Sequence, residues 1–198
     1  MNLDGYLELY RLKDLVRTGW DLRGVESPES VADHSWGTAL LVLRFGVEAG
    51  IAIERALSLA VVHDLVEVRV GDIPRRADPR VPVVSEEAKR RMESEATAEL
   101  ARELPWPELV DLWQEYDDGG SEEARFVRDM NLLDMVLQAL FYAREKRLRP
   151  GVGEDRFPTY PGLREFFETS RPRVTTPLGK RLYGEVETAY LSLVGNSG

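Results

Sequence analysis

The sequence predicts an all-α fold of packed helices built as one domain, and three observations carry that reading. Apolar residues recur at three- and four-residue intervals along nearly the whole chain, which is the spacing of an amphipathic helix. No stretch shows the period-two alternation of a half-buried strand. Serine caps, glycine stops and proline-bearing breaks punctuate the pattern at lengths that suit helices.

The elements follow in order. Leu3, Tyr6, Leu7 and Tyr10 form the first apolar stripe, and Leu9, Leu12, Leu15 and Val16 extend it until Arg17-Thr18-Gly19-Trp20 breaks the spacing. Ser27-Pro28-Glu29-Ser30 reads as a helix start, with Ser27 as the cap and Pro28 in the first helical position. That helix runs to about Ala49, and Gly50 stops it. Residues 53–70 are apolar on almost every side, as a central buried helix requires, and Gly71-Asp72-Ile73-Pro74 ends them. A proline-bearing loop over 74–84 leads to a charged surface helix from Ser85 to near Leu104. Pro105-Trp106-Pro107 separates this from a shorter helix ending at Asp117-Asp118-Gly119-Gly120. Ser121 caps the next helix, with Glu122 and Glu123 suited to the positive end of its dipole, and the pattern continues to Leu148. A loop over 150–153 precedes two closing helices, near 163–169 and 177–193.

Composition bounds the function. A chain of 198 residues suits one domain, since domains run to about 100–200 residues. With 43% hydrophobic and 31% charged residues it is globular rather than disordered. The absence of cysteine excludes disulfides and zinc–thiolate sites, and it fits a cytoplasmic location. Residues 1–12 lack the basic end and continuous apolar stretch of a signal peptide. No apolar run reaches the ~20 residues that cross a bilayer, so no membrane partner is expected. A net charge of −9 argues against nucleic acid as a partner. A small phosphorylated substrate remains compatible, because a metal ion and one or two arginines can reverse the local field.

The sequence has two histidines, His34 and His63. Asp64 follows His63 directly in the most apolar segment, where an ionised carboxylate is costly unless it is paired or binds a cation. Glu67 lies four residues after His63 and three after Asp64, so all three are expected on one side of the helix. The competing reading is a buried hydrogen-bond network without metal. His34, in Glu29-Ser30-Val31-Ala32-Asp33-His34, counts as the second imidazole for a shared site. Asn131, Asp134 and Gln138 form a polar seam, at spacings of three and four, on an otherwise apolar helix.

The pattern His34, His63-Asp64 and a polar residue near 131 resembles the H…HD…D signature of HD-domain phosphohydrolases. Arg17-Thr18-Gly19-Trp20, Arg23-Gly24-Val25, Pro28-Glu29-Ser30-Val31-Ala32-Asp33-His34-Ser35 and Gly71-Asp72-Ile73-Pro74 resemble the branch that contains 5′-deoxynucleotidases and the HD-domain-containing protein two group. So do Glu123-Ala124-Arg125-Phe126-Val127-Arg128 and Met135-Val136-Leu137-Gln138-Ala139. The resemblance implies a single HD-type helical bundle over residues 1–198, with its motif-bearing core at about 12–145 and C-terminal helices at about 161–194. It implies a homodimer that removes the 5′-phosphate of (deoxy)nucleoside monophosphates with a divalent metal: Co, Mn, Ni, Fe or Mg. By the same resemblance His34, His63, Asp64 and Asn131 hold the metal, and Glu67 and Asp72 handle water and protons. Arg17 holds the phosphate, and Trp20 shapes the sugar pocket.

One position departs from the family, which has aspartate where this chain has Asn131. Asp129 is turned away from that position by about 200° along a helix, and Asp134 is displaced by about 4.5 Å along the axis. An asparagine offers a carbonyl oxygen without charge, so weaker metal binding is expected. Arg75 and Arg76 are either phosphate contacts or solvated loop residues. Two alternatives to the nucleotidase stay open at this point. One is an HD phosphohydrolase for another nucleotide or phosphate ester; the other is a non-catalytic metal- or nucleotide-binding protein.

Overall fold

A computed structural model describes residues 2–77, 84–149 and 160–195. Among these residues the secondary structure is helical, apart from two isolated bridges that join Val16 to Ser30 and Val25 to Leu148. The helices are α1 (Leu3–Tyr10), α2 (Thr18–Leu22), α3 (Val31–Ala49), α4 (Ile53–Val62), α5 (Glu67–Val70), α6 (Glu86–Glu103), α7 (Glu108–Asp118), α8 (Glu122–Arg144), α9 (Arg164–Ser170) and α10 (Pro177–Gly195). Short 3-10 turns follow α1 and α9. No helix among the described residues is long and apolar enough to cross a membrane.

The core is organised around α8. Ser121 caps it, its hydroxyl accepting from the Ala124 N–H at 3.0 Å. Phe126, Val127, Met130, Leu132, Leu133, Val136 and Ala139 are all buried, so the helix is apolar around most of its circumference. It is accordingly enclosed by α3, α4, α7 and α10. Buried Asp129 faces the start of α10, accepting from the N–H groups of Thr175 (2.9 Å) and Thr176 (2.7 Å) and from the Thr176 hydroxyl (2.6 Å). Gly179 lets that carboxylate approach, because a Cβ there would overlap it.

The structure corrects several expected boundaries. Helix α3 begins three residues later than the sequence pattern places it. Ser30 and Asp33 form a reciprocal capping box that satisfies two donors, whereas Ser27 sits at φ +49° outside the helix. Gly50 ends α3 at φ +71°, as expected. The single helix expected over 53–70 is broken after α4. The Leu65 N–H bonds to Val62 O and the Glu67 N–H to Asp64 O, both at 3.1 Å, which tightens the chain to three residues per turn. Side chains three apart eclipse in such a turn, so Asp64 and Glu67 still share a side. Helix α8 ends short of Leu148, because Lys146 turns at φ +54° and Leu148 bridges to Val25. The stripe of Leu3, Tyr6, Leu7 and Tyr10 on α1 is exposed, and Gly5 is the residue that α1 buries. The loop expected over 74–84 is described to 77 and from 84, and that over 150–153 lies outside the described residues.

Candidate functional site

The site lies where α3, the α4–α5 turn and α8 meet. His34 is fully buried on α3, and its Nδ1 lies 2.7 Å from Asp134 Oδ2 on α8. The two helices come this close at Gly37, where a Cβ would overlap the Asp134 carboxylate. His63 ends α4, with its Nδ1 2.8 Å from the Ala60 carbonyl oxygen. A carbonyl can only accept, so the His63 proton sits on Nδ1 and Nε2 presents a lone pair. Asp134, when ionised, sets the same tautomer on His34, and burial pushes its carboxyl up to about 7. Both Nε2 atoms are buried without a hydrogen-bond partner among the described residues.

The two lone pairs converge on Asp64. Its Oδ2 lies 3.1 Å from His63 Nε2 and 3.7 Å from His34 Nε2, and the ligating atoms of the three residues lie within 4.8 Å of one another. Burial, reinforced by the Arg17 charge, pushes the His34 imidazole down to about 3, which leaves it neutral. Burial opposes ionisation of Asp64, but a proton taken up by the facing His63 Nε2 in the metal-free site, and the Arg17 charge, hold its carboxyl well below the usual range. Two imidazole nitrogens and one carboxylate are a donor set for a divalent transition ion. The orphaned Nε2 atoms give that fit a physical basis, since a buried acceptor without a partner is costly.

Arg17, just before α2, spans three carboxylates. Its Nη1 donates to Asp64 Oδ2 at 3.2 Å and Asp72 Oδ1 at 3.1 Å, and lies 3.9 Å from Glu67 Oε2. Burial works against its charge, but Asp72, Asp64 and Glu67 together raise its pKa above the ordinary value. Asp72 also accepts from the Thr18 N–H at 2.6 Å, and the Thr18 hydroxyl donates to the Asp72 carbonyl at 2.9 Å. Glu67 is buried, and its Oε2 has no hydrogen-bond partner among the described residues. Burial and the charges of Asp64 and Asp72 raise its carboxyl well above the usual range.

A small open cleft of about 110 Å³ lies over these groups. Its walls include Arg17, Trp20, Asp64, Glu67, Asp72, Asn131, Phe166 and Arg173. Trp20 is buried, donates through Nε1 to Glu29 Oε1 at 2.8 Å and stacks on Phe166 with ring centroids 3.9 Å apart. The Asn131 amide donates to the Tyr116 hydroxyl at 2.7 Å, while its carbonyl oxygen has no partner among the described residues. Of the site residues expected from sequence, Arg17, Trp20, Asp64, Glu67, Asp72 and Asn131 line this cleft, while His63 lines the adjoining pocket and His34 lies buried against Asp64. Arg76 does not join them: it forms a buried pair with Glu165 at 2.8 Å, while Arg75 pairs with Glu86. The sequence pattern does not single out Glu29, Tyr116, Phe166 or Arg173 for the site. Nothing in the spacing around Phe166 or Arg173 marks them, because they reach the cleft through the packing of α9 and its following turn.

The chain matches the HD domain family over residues 9–159. It is 34% identical over 181 residues to 5′-deoxynucleotidase HDDC2 of Mus musculus, which covers 90% of this chain and 82% of that protein. It is 38% identical over 144 residues to 5′-deoxynucleotidase hdd1 of Schizosaccharomyces pombe, covering 69% and 70%. Among solved structures, the PH0347 protein from Pyrococcus horikoshii OT3 superimposes with a TM-score of 0.70 at 32% identity, covering 95% of this chain and 98% of that one. The cyanophage S-2L HD phosphohydrolase DatZ, bound to dA and one catalytic Zn2+ ion, shares the fold at a TM-score of 0.55 and 19% identity, covering 96% of each chain. With the His63-Asp64 pair inside the matched region, the chain belongs to the HD domain family.

Proposed function

We propose that this protein is a metal-dependent phosphomonoester hydrolase that removes the 5′-phosphate of (deoxy)nucleoside monophosphates. The observation that carries the reading is the pair of buried, unpartnered Nε2 atoms of His34 and His63, gathered with the Asp64 carboxylate within 4.8 Å of one another beside the cleft. The 5′-deoxynucleotidases named among the relatives support the substrate class.

In this reading His34, His63 and Asp64 hold a divalent transition ion, and the Asn131 carbonyl oxygen serves as a fourth donor. When bound, such an ion polarises a phosphoryl oxygen and activates water. Glu67, one tight turn from Asp64, is placed to relay a proton to or from the reacting water or the departing ribose oxygen. Asp72 positions Arg17 and the Thr18 backbone and joins Glu67 in handling protons. Arg17 contacts the phosphate, its planar fork suiting the non-bridging oxygens. The Trp20–Phe166 stack forms an apolar wall for the sugar.

The proposal extends to a cytoplasmic homodimer. Supporting the dimer, Trp36, Leu40, Leu43 and Val47 are exposed at i, i+4, i+7 and i+11 on α3, with Trp36 69% and Val47 81% accessible. An apolar stripe of this kind marks an interaction face.

Release of inorganic phosphate from a panel of deoxy- and ribonucleotides, with each metal added in turn, tests the function. Hydrolysis of deoxynucleoside monophosphates is the expected result. Hydrolysis of another phosphate ester alone would keep the hydrolase and discard the substrate. No hydrolysis with any ion would leave a binding protein.

A further inference from the structure

Around the cleft the arginines differ in how much of their charge is already matched. Arg17 stands against Asp64, Asp72 and Glu67. Arg75 stands against Glu86, and Lys89 lies 3.5 Å from Glu93. Arg173, in the 3-10 turn after α9, has no carboxylate within ion-pair distance and no hydrogen bond among the described residues. Arg128 on α8 donates to the Asp117 backbone carbonyl at 3.3 Å and likewise has no carboxylate partner among them. Both are half-buried, and both line a wall of the site together with His63, Asp64 and Asn131. Arg173 also lines the cleft that holds Trp20 and Phe166.

Two guanidinium groups on one wall, neither paired with a carboxylate, repel one another, and Glu86 on that wall offsets this only in part at Arg173. Burial and the neighbouring Arg75 and Arg128 push the Arg173 guanidinium down to about 10, against a chain whose net charge is −9. An anion seated between them would relieve both the repulsion and the loss of hydration, and guanidinium forks suit phosphate oxygens. Asn131 contributes by what it lacks, since a carboxylate on that wall would supply the missing counter-charge itself.

We infer that Arg173, with Arg128 lining the same wall, adds a second guanidinium subsite, beyond Arg17, for the phosphate dianion of the substrate and of the inorganic phosphate product. Arg17 keeps its own phosphate contact, but three carboxylates already match much of its charge. The inference rests on the phosphohydrolase reading, but its test does not depend on which ester is cleaved.

The test is calorimetric titration with inorganic phosphate at fixed ionic strength, on manganese-loaded and on chelator-treated protein. Arg173→Gln should weaken phosphate binding by about tenfold to a hundredfold in both states, the loss expected for charge-assisted hydrogen bonds. Arg128→Gln should weaken it less, and Arg173→Lys should restore part of the loss. Metal content and melting temperature should stay at wild-type values, because Arg173 has no partner to lose among the described residues. Unchanged affinity in Arg173→Gln would overturn the subsite. So would an equal loss in Arg181→Gln, which removes an exposed charge on α10, or no phosphate binding by the wild type. If Arg173→Gln loses phosphate affinity while no deoxynucleotide is hydrolysed, the subsite stands and the proposed substrate fails. If deoxynucleotides are hydrolysed but Arg173→Gln keeps full phosphate affinity, the substrate stands and the subsite fails.

Discussion

His34 Nδ1 and Asp134 Oδ2 face each other at 2.7 Å across the contact between α3 and α8, and Gly37 leaves the room for that approach. The carboxylate fixes the imidazole's tautomer and aims Nε2 at Asp64. Partners of this kind typically change metal affinity by about 10–100-fold when removed. Asp134→Ala should therefore weaken manganese or cobalt binding by about that factor, with Asp134→Asn losing less because its oxygen still accepts from Nδ1. Gly37→Ala should act in the same direction by displacing the carboxylate. Calorimetric metal titration reads all three, and wild-type affinity throughout would remove the orienting role.

His34→Ala and Asp64→Ala should each lose bound metal and phosphatase activity while circular dichroism keeps the helical signal. Each removes one of three convergent donors. Elemental analysis after purification gives the answer, and full metal content in both variants would sink the ligand assignment.

Much of this arrangement is legible in the sequence because its signals are local. Ser85 and Ser121 cap where the pattern places them, Gly50 stops α3, and the polar His63-Asp64 pair stands out in an apolar segment. Asp129 does face away from Asn131, as helical rotation requires. What is not legible depends on contacts between distant segments. The seam residue Asp134 reads as polar in sequence, but its partner lies a hundred residues away on another helix. The break after α4 leaves no glycine or proline behind. Ser27 loses the capping role to Ser30 because the reciprocal bond with Asp33 satisfies more donors than a lone serine can. Arg17 looks from its motif like a free phosphate ligand, and only the folded structure brings three carboxylates against it.

The exposed stripe on α3 gives a test of assembly. Placing glutamates at Leu43 and Val47 together should convert a dimer into a monomer, since an unpaired buried carboxylate costs about 3–5 kcal/mol at an interface. Sedimentation equilibrium of both forms, with circular dichroism as a check on folding, decides it. A wild-type monomer at all concentrations, or a variant that stays dimeric, would remove this face from the proposed interface.

Asn131→Asp joins the metal site to the anion subsite. Asn131 lines the cleft with Asp64, and its carbonyl oxygen lacks a partner among the described residues. A carboxylate there would add a full negative charge against a divalent cation, and Coulomb attraction at ligand distance stays large after generous screening. Metal affinity should rise by about tenfold or more, part of the gain being offset by desolvation of the new charge. The Tyr116 hydroxyl, which now accepts from the asparagine, can reverse and donate to the carboxylate, so the substitution should fold without strain. The same charge stands on the wall that carries Arg173, so phosphate binding should weaken as metal binding tightens. A more neutralised ion is also a weaker Lewis acid, so turnover need not follow metal affinity. Titrating wild type and variant with metal, and then with inorganic phosphate at the same pH, separates the two effects. Equal or weaker metal affinity in the aspartate form would exclude position 131 as a donor. Asp134 would not take its place, because its carboxylate is already engaged with His34 Nδ1.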